Sequence, residues 1–100
     1  MARRRNILED GNLSLHLENC QVLVGKKRID LTATESNLLA CLLERRGDPV
    51  SRQELIDQVW GSNYQGTQRT VDTHIQRIRL KLGRSGWRIQ SVRGIGYRLT

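Results

Sequence analysis

The chain has 100 residues, 37% of them hydrophobic, and carries 17 Lys and Arg against 10 Asp and Glu, a formal net charge of +7. A chain this short has room for one domain and one modest core, which should bury somewhat over ~60% of its unfolded surface. No apolar run approaches the roughly 18 residues that span a bilayer, and the opening Met1-Ala2-Arg3-Arg4-Arg5-Asn6 has no apolar stretch behind its arginines to serve as a signal peptide, so a soluble, cytoplasmic protein is expected.

Where the charge sits narrows the partner. Residues 1–68 hold nine Lys and Arg against nine Asp and Glu, whereas residues 69–100 hold eight against Asp72 alone. The excess is concentrated in the last third and is mostly Arg, whose planar fork bonds phosphate and guanine bidentately. A polyanion is the implied partner. Cys20 and Cys41 fit no metal spacing and fall in segments that read as strand and helix, so they are expected to be reduced, partly buried thiols, with no metal and no cofactor.

In chain order, residues 1–6 read as the end of an interdomain linker, a phosphate-contacting arm or an expression remnant, ahead of a domain over 7–100. Residues 7–31 alternate in short bursts, Leu13-Ser14-Leu15-His16-Leu17, Cys20-Gln21-Val22-Leu23-Val24 and Lys27-Arg28-Ile29-Asp30-Leu31, with turn residues between them and residues 7–9 as a further first strand. That pattern predicts a small antiparallel meander, with His16 facing solvent.

At Leu31 the period changes from two to about 3.6. Thr32-Ala33-Thr34-Glu35 is a capping box, and Leu38, Leu39, Leu42 and Leu43 give the buried stripe of a first helix that should end near Arg46, before Gly47 and Pro49. A second capping box, Ser51-Arg52-Gln53-Glu54, opens a shorter helix with Leu55, Ile56, Val59 and Trp60 inward, and Gly61 closes it. Residues 62–67 form a polar loop.

A third helix is expected over about 68–82, with Thr67 as a weak N-cap. At about 100° per residue, Val71, Ile75, Ile78 and Leu82 form one apolar stripe, while Thr73, Gln76, Arg77 and Leu80 form the opposite one, flanked by Thr70, His74, Lys81, Arg69 and Arg79. A helix docked by the first stripe presents donors and positive charge on the second, which suits a nucleic-acid groove. After a turn at 83–86, residues 87–92 and 96–99 read as two strands joined by a tight turn at Arg93-Gly94-Ile95-Gly96, where the glycines permit positive φ.

Three helices followed by a hairpin is the winged helix-turn-helix plan. Residues 32–39 (TATESNLL), 50–60 (VSRQELIDQVW), 69–82 (RTVDTHIQRIRLKL) and 89–98 (IQSVRGIGYR) together closely resemble the DNA-binding effector domain of OmpR/PhoB-type response regulators. The resemblance implies an α+β fold, with an N-terminal four-stranded antiparallel sheet, three helices and a C-terminal β-hairpin wing. It also implies a receiver domain elsewhere in a full-length protein, so this chain resembles an isolated effector domain of a two-component regulatory system.

Carried over by position, the resemblance places residues 68–82 in the major groove. Arg77 matches the arginine that reaches base edges, with Thr73 and Gln76 at neighbouring tuning positions; Gln76 stands where many members carry a basic residue. Arg69, Thr70, His74, Arg79, Lys81, Trp60 and Tyr97 match positions that contact or lie near phosphate, and Arg93 with Gly94 matches the minor-groove wing. The loop Gly61, Ser62, Asn63, Tyr64, Gln65, Gly66, Thr67 resembles one that touches RNA polymerase.

Sequence-specific double-stranded DNA binding in transcription regulation is therefore the expected function, on tandem direct-repeat half-sites, with a winged-helix protein-interaction module as the alternative. No enzyme is expected. The acids form no arguable pair, no glycine-rich loop leads into a helix to cradle phosphate, and His74 has no second ligand at metal spacing.

Overall fold

The computed structural model describes residues 6–100; the arm or linker reading of Arg3, Arg4 and Arg5 lies outside them. β1 (Ile7–Asp10), β2 (Leu13–His16), β3 (Gln21–Val24) and β4 (Lys27–Asp30) form a four-stranded sheet in the order β1-β2-β3-β4. Each neighbouring pair is antiparallel, with Leu15 opposite both Leu8 and Val22, so Leu13, Leu15 and Val22 share the face that enters the core. The period-two bursts are thus borne out as the meander. One detail differs: Cys20 stands in the turn before β3 with φ 53°, not in the strand, because the chain needs a left-handed residue there to reverse direction.

α1 (Ala33–Glu44) begins on the predicted capping box. The Glu35 N–H donates to Thr32 Oγ1 at 3.1 Å and the Thr32 N–H donates to Glu35 Oε1 at 2.9 Å. Its C-cap is Arg45, beside the expected end near Arg46, and Gly47 follows with φ 86°. α2 (Arg52–Val59) begins on the second box, Ser51 to Glu54. Its Leu55 and Ile56 are buried, while Val59 and Trp60 pack only partly.

α3 (Arg69–Leu82) buries Val71, Ile75, Ile78 and Leu82, the stripe the spacing requires, against α1 and the sheet residues. Its N-cap is Gln68, which makes no side-chain cap; Thr67 Oγ1 instead accepts from the Arg69 N–H at 3.3 Å. A 3₁₀ segment, Gly83–Arg88, follows where strand was expected for Trp87 and Arg88. The reason is tertiary: Gly86 lies against the α3 backbone, where a Cβ would stand 2.5 Å from the Arg79 carbonyl oxygen, and Arg88 turns into the protein.

Only then do β6 (Ile89–Val92) and β7 (Gly96–Leu99) form the hairpin, and a two-residue strand, β5 (Val50–Ser51), completes a sheet ordered β5-β7-β6. β5 was not expected. It pairs Val50 with Tyr97 and Ser51 with Gly96, so the start of α2 is hydrogen-bonded to the wing.

Candidate nucleic-acid interface

The outward stripe of α3 is as the spacing requires. Arg69, Thr73, Gln76, Arg77 and Leu80 are all exposed, and the opposite stripe is fully buried. At the hairpin tip Arg93, Gly94 and Ile95 are exposed, with Gly94 at φ 77°. Arg77 and Arg93 make no ion pair among the described residues, so both guanidiniums keep their donors for another partner.

Helix and wing are held in register by one carboxylate. Asp72 Oδ1 accepts from the Tyr97 hydroxyl at 2.6 Å and from Arg52 Nε at 2.8 Å, joining α3, β7 and α2. Arg52 and Arg79 lie over the Tyr97 ring, at 5.3 and 5.5 Å from its centroid, within cation–π range. Burial alone would raise the Asp72 pKa; the bonds from Tyr97 and Arg52 outweigh it and hold the group below its usual value. For Tyr97, burial first and then the Asp72 contact push the phenol upward, and Arg52 is held charged chiefly by its bond to Asp72.

This arrangement redistributes the expected phosphate contacts. Tyr97 is only 5% exposed and its hydroxyl is given to Asp72, so it positions the wing instead of facing outward. Arg79 donates from Nε to the Ile89 carbonyl at 2.9 Å and from Nη2 to Ser91 Oγ at 3.1 Å, tying α3 to β6. The Lys81 ammonium stands 2.6 Å from Glu35 Oε1, so the buried α1 capping carboxylate also anchors the end of α3.

Arg69 and Thr70 remain at the helix start, the first exposed and the second half-buried. His74 Nδ1 is 2.8 Å from the Thr70 carbonyl, to which only an N–H can donate, so Nδ1 carries a proton there. That ring meets Trp60 in a T-shaped contact with centroids 5.2 Å apart, and the Trp60 and Tyr64 centroids are 5.8 Å apart, so the loop 61–67 is braced against the helix start. Tyr64 also fills the space a Cβ on Gly66 would need.

Sequence reasoning missed Arg52, Asp72 and Glu35 as parts of this interface. A signal existed for one: Asp72 is the single acid in residues 69–100, and an isolated acid among arginines is a candidate ion-pair centre. Among the described residues no group of His, Cys, Asp and Glu is placed to hold a metal, and no helix is long and apolar enough to cross a membrane.

The family described as transcriptional regulatory protein, C terminal, matches residues 25–99. The chain belongs to that family. Its members are the C-terminal DNA-binding domains of OmpR/PhoB-type response regulators, a non-enzymatic group, and the chain is a winged-helix DNA-binding domain of that kind.

It is 40% identical over 96 residues to the heme response regulator HssR of Staphylococcus epidermidis, covering 94% of this chain and 43% of that protein. The chain thus spans less than half of that relative. Among solved structures, the Klebsiella pneumoniae RstA DNA-binding domain in complex with the RstA box superposes with a TM-score of 0.82 at 29% identity, covering 96% of this chain and 98% of that one. DrrB, a Thermotoga maritima OmpR/PhoB homolog, gives 0.82 at 30% identity over 97% of this chain and 45% of its own.

Proposed function

We propose that α3 lies in the major groove of duplex DNA with Arg77 as the principal base reader and Thr73 and Gln76 beside it, while Arg93 and Gly94 of the wing meet the adjacent minor groove. The observation that carries this is the two-sided α3: one stripe is fully buried, the other presents Thr73, Gln76 and Arg77 to solvent, and Asp72 locks it to an arginine-tipped hairpin. A guanidinium can bond two acceptors of guanine at once. Arg69, Thr70, His74 and Trp60 supply phosphate contacts along the helix start, and phosphate contacts fix register while groove contacts read sequence.

A mobility-shift titration tests it. Binding should weaken steeply as salt rises, because each phosphate contact releases counterions; no shift with any duplex at low salt refutes the reading. Arg77→Ala should cost roughly 1–3 kcal/mol on the selected site and relax preference at one base pair. Equal weakening on selected and random DNA would move Arg77 to the phosphate class.

The wider context belongs to the same proposal. The relatives' greater length supports a receiver domain in the full protein, and two copies on tandem direct-repeat half-sites and action in the cytoplasm belong to the same reading. The exposed loop 61–67, stiffened by Tyr64 on Trp60, supports a contact with RNA polymerase.

A further inference from the structure

Leu80 is 72% exposed, the most exposed large hydrophobic side chain among the described residues, and the proposed base readers do not account for it. Its place is on the reading face: it follows Thr73, Gln76 and Arg77 by seven, four and three residues, the spacings that align on one side of a helix. The core gains nothing from it, since Val71, Ile75, Ile78 and Leu82 already complete the buried stripe.

Its neighbours are turned away. Arg79 is tied to Ile89 and Ser91, and Lys81 to Glu35, so the cations flanking Leu80 are drawn off the outward face. The result is one branched apolar group at the end of an otherwise polar, basic stripe. A protein partner burying a lone leucine here would also have to desolvate Arg77 beside it, whereas the major groove of duplex DNA gives Arg77 base acceptors and can give Leu80 an apolar contact. The major groove offers one apolar feature to such a side chain, the C5-methyl of thymine.

We propose that Leu80 packs on the 5-methyl of a thymine and so adds a base preference next to the pair read by Arg77. The inference rests on the groove reading above. Three residues of helix rise about 4.5 Å, against about 3.4 Å per base step, so the thymine lies one or two base pairs from the Arg77 position.

The test begins with sequences selected by the protein from a random duplex pool. Each thymine of the selected half-site is then replaced singly by deoxyuridine, which removes the methyl and keeps the pairing, and Kd is measured at fixed salt for the parent and for Leu80→Ala. One thymine within two base pairs of the Arg77-sensitive position should show a loss of about 4-fold with the parent, the value of burying one methyl. Leu80→Ala should bind the thymine and uracil forms alike, while melting like the parent because the side chain is exposed.

Uracil tolerated at every position by the parent overturns the inference and leaves the groove reading standing. So does a uracil penalty that persists in Leu80→Ala. A pool that returns no motif overturns both.

Discussion

Arg88 and Arg77 belong to the same basic third of the chain, yet the fold gives them opposite roles, and opposite assays should reveal them. The Arg88 side chain is 10% exposed. It donates from Nε to the Thr100 carbonyl at 2.9 Å and from Nη1 to the Asp10 carbonyl at 2.8 Å and Asn12 Oδ1 at 3.2 Å, and its Nη2 stands 2.9 Å from Asp10 Oδ2. It therefore staples the β1–β2 turn to the C-terminus. Arg88→Ala strips Asp10 of this partner and removes the donors Arg88 gives to the Asp10 and Thr100 carbonyl oxygens.

Breaking a buried ion pair costs ~3–5 kcal/mol. Asp10 keeps Arg46 at 3.0 Å and some solvent access, so the lower end, about 3 kcal/mol, is expected. For a domain of this size that corresponds to a fall in Tm of roughly 12–24 °C. Thermal unfolding followed by far-UV circular dichroism measures it. Below its melting range the variant should keep the parent's salt dependence of DNA binding, whereas Arg77→Ala should melt like the parent and lose discrimination. An Arg88→Ala protein that melts within a few degrees of the parent refutes the staple.

Other expectations follow from the same contacts. Tyr97→Phe removes the hydroxyl from Asp72 but leaves Arg52 on the carboxylate, so urea denaturation should show a loss of about 1.5 kcal/mol, the worth of one bond to a charged group. DNA affinity should fall with it, because the wing loses a restraint. Gly96→Ala places a Cβ against the Val50 carbonyl oxygen, with backbone on the other sides too, so β5 must separate from β7; a destabilisation of ~1–3 kcal/mol is expected by the same measurement.

Acid should unfold the domain through two carboxyls. Burial works to raise the Glu35 pKa but is outweighed by the bonds from Lys81 and Thr32, and Asp72 is likewise held low. Their folded pKa values lie below the unfolded ones of 4.5 and 3.8, so the stability they contribute is present above those values and lost as pH falls through the lower folded ones. Tryptophan fluorescence should report constant stability at neutral pH and a decline beginning near pH 4.5, shallower in Glu35→Gln; identical acid limbs for parent and variant would remove Glu35 from this role.

Much of the architecture is legible in the sequence. Period-two bursts marked β1–β4, two capping boxes set the starts of α1 and α2, and the spacing of Val71, Ile75, Ile78 and Leu82 fixed the face α3 buries. These signals are local: each depends on backbone hydrogen bonding and side-chain period within a few residues of itself. β5 escaped because two residues carry no period, and the alternation of Trp87-Arg88-Ile89-Gln90 imitated strand where tight packing of Gly86 on α3 imposed a 3₁₀ turn.

By itself the sequence determined the order of the four-stranded meander, the three helices and the hairpin, the two-faced helix and the concentration of positive charge from Arg69 onward. Formal charge counts cations without saying what they face, and only the tertiary structure sorted them. It turned Arg88 inward to Asp10, 78 residues away, set Lys81 on Glu35, 46 away, and wrapped Arg52 and Arg79 about Tyr97, while leaving Arg77 and Arg93 outward. Such partners meet only when the chain closes on its core, so the division between arginines that hold the fold and arginines that face outward is a property of the folded molecule.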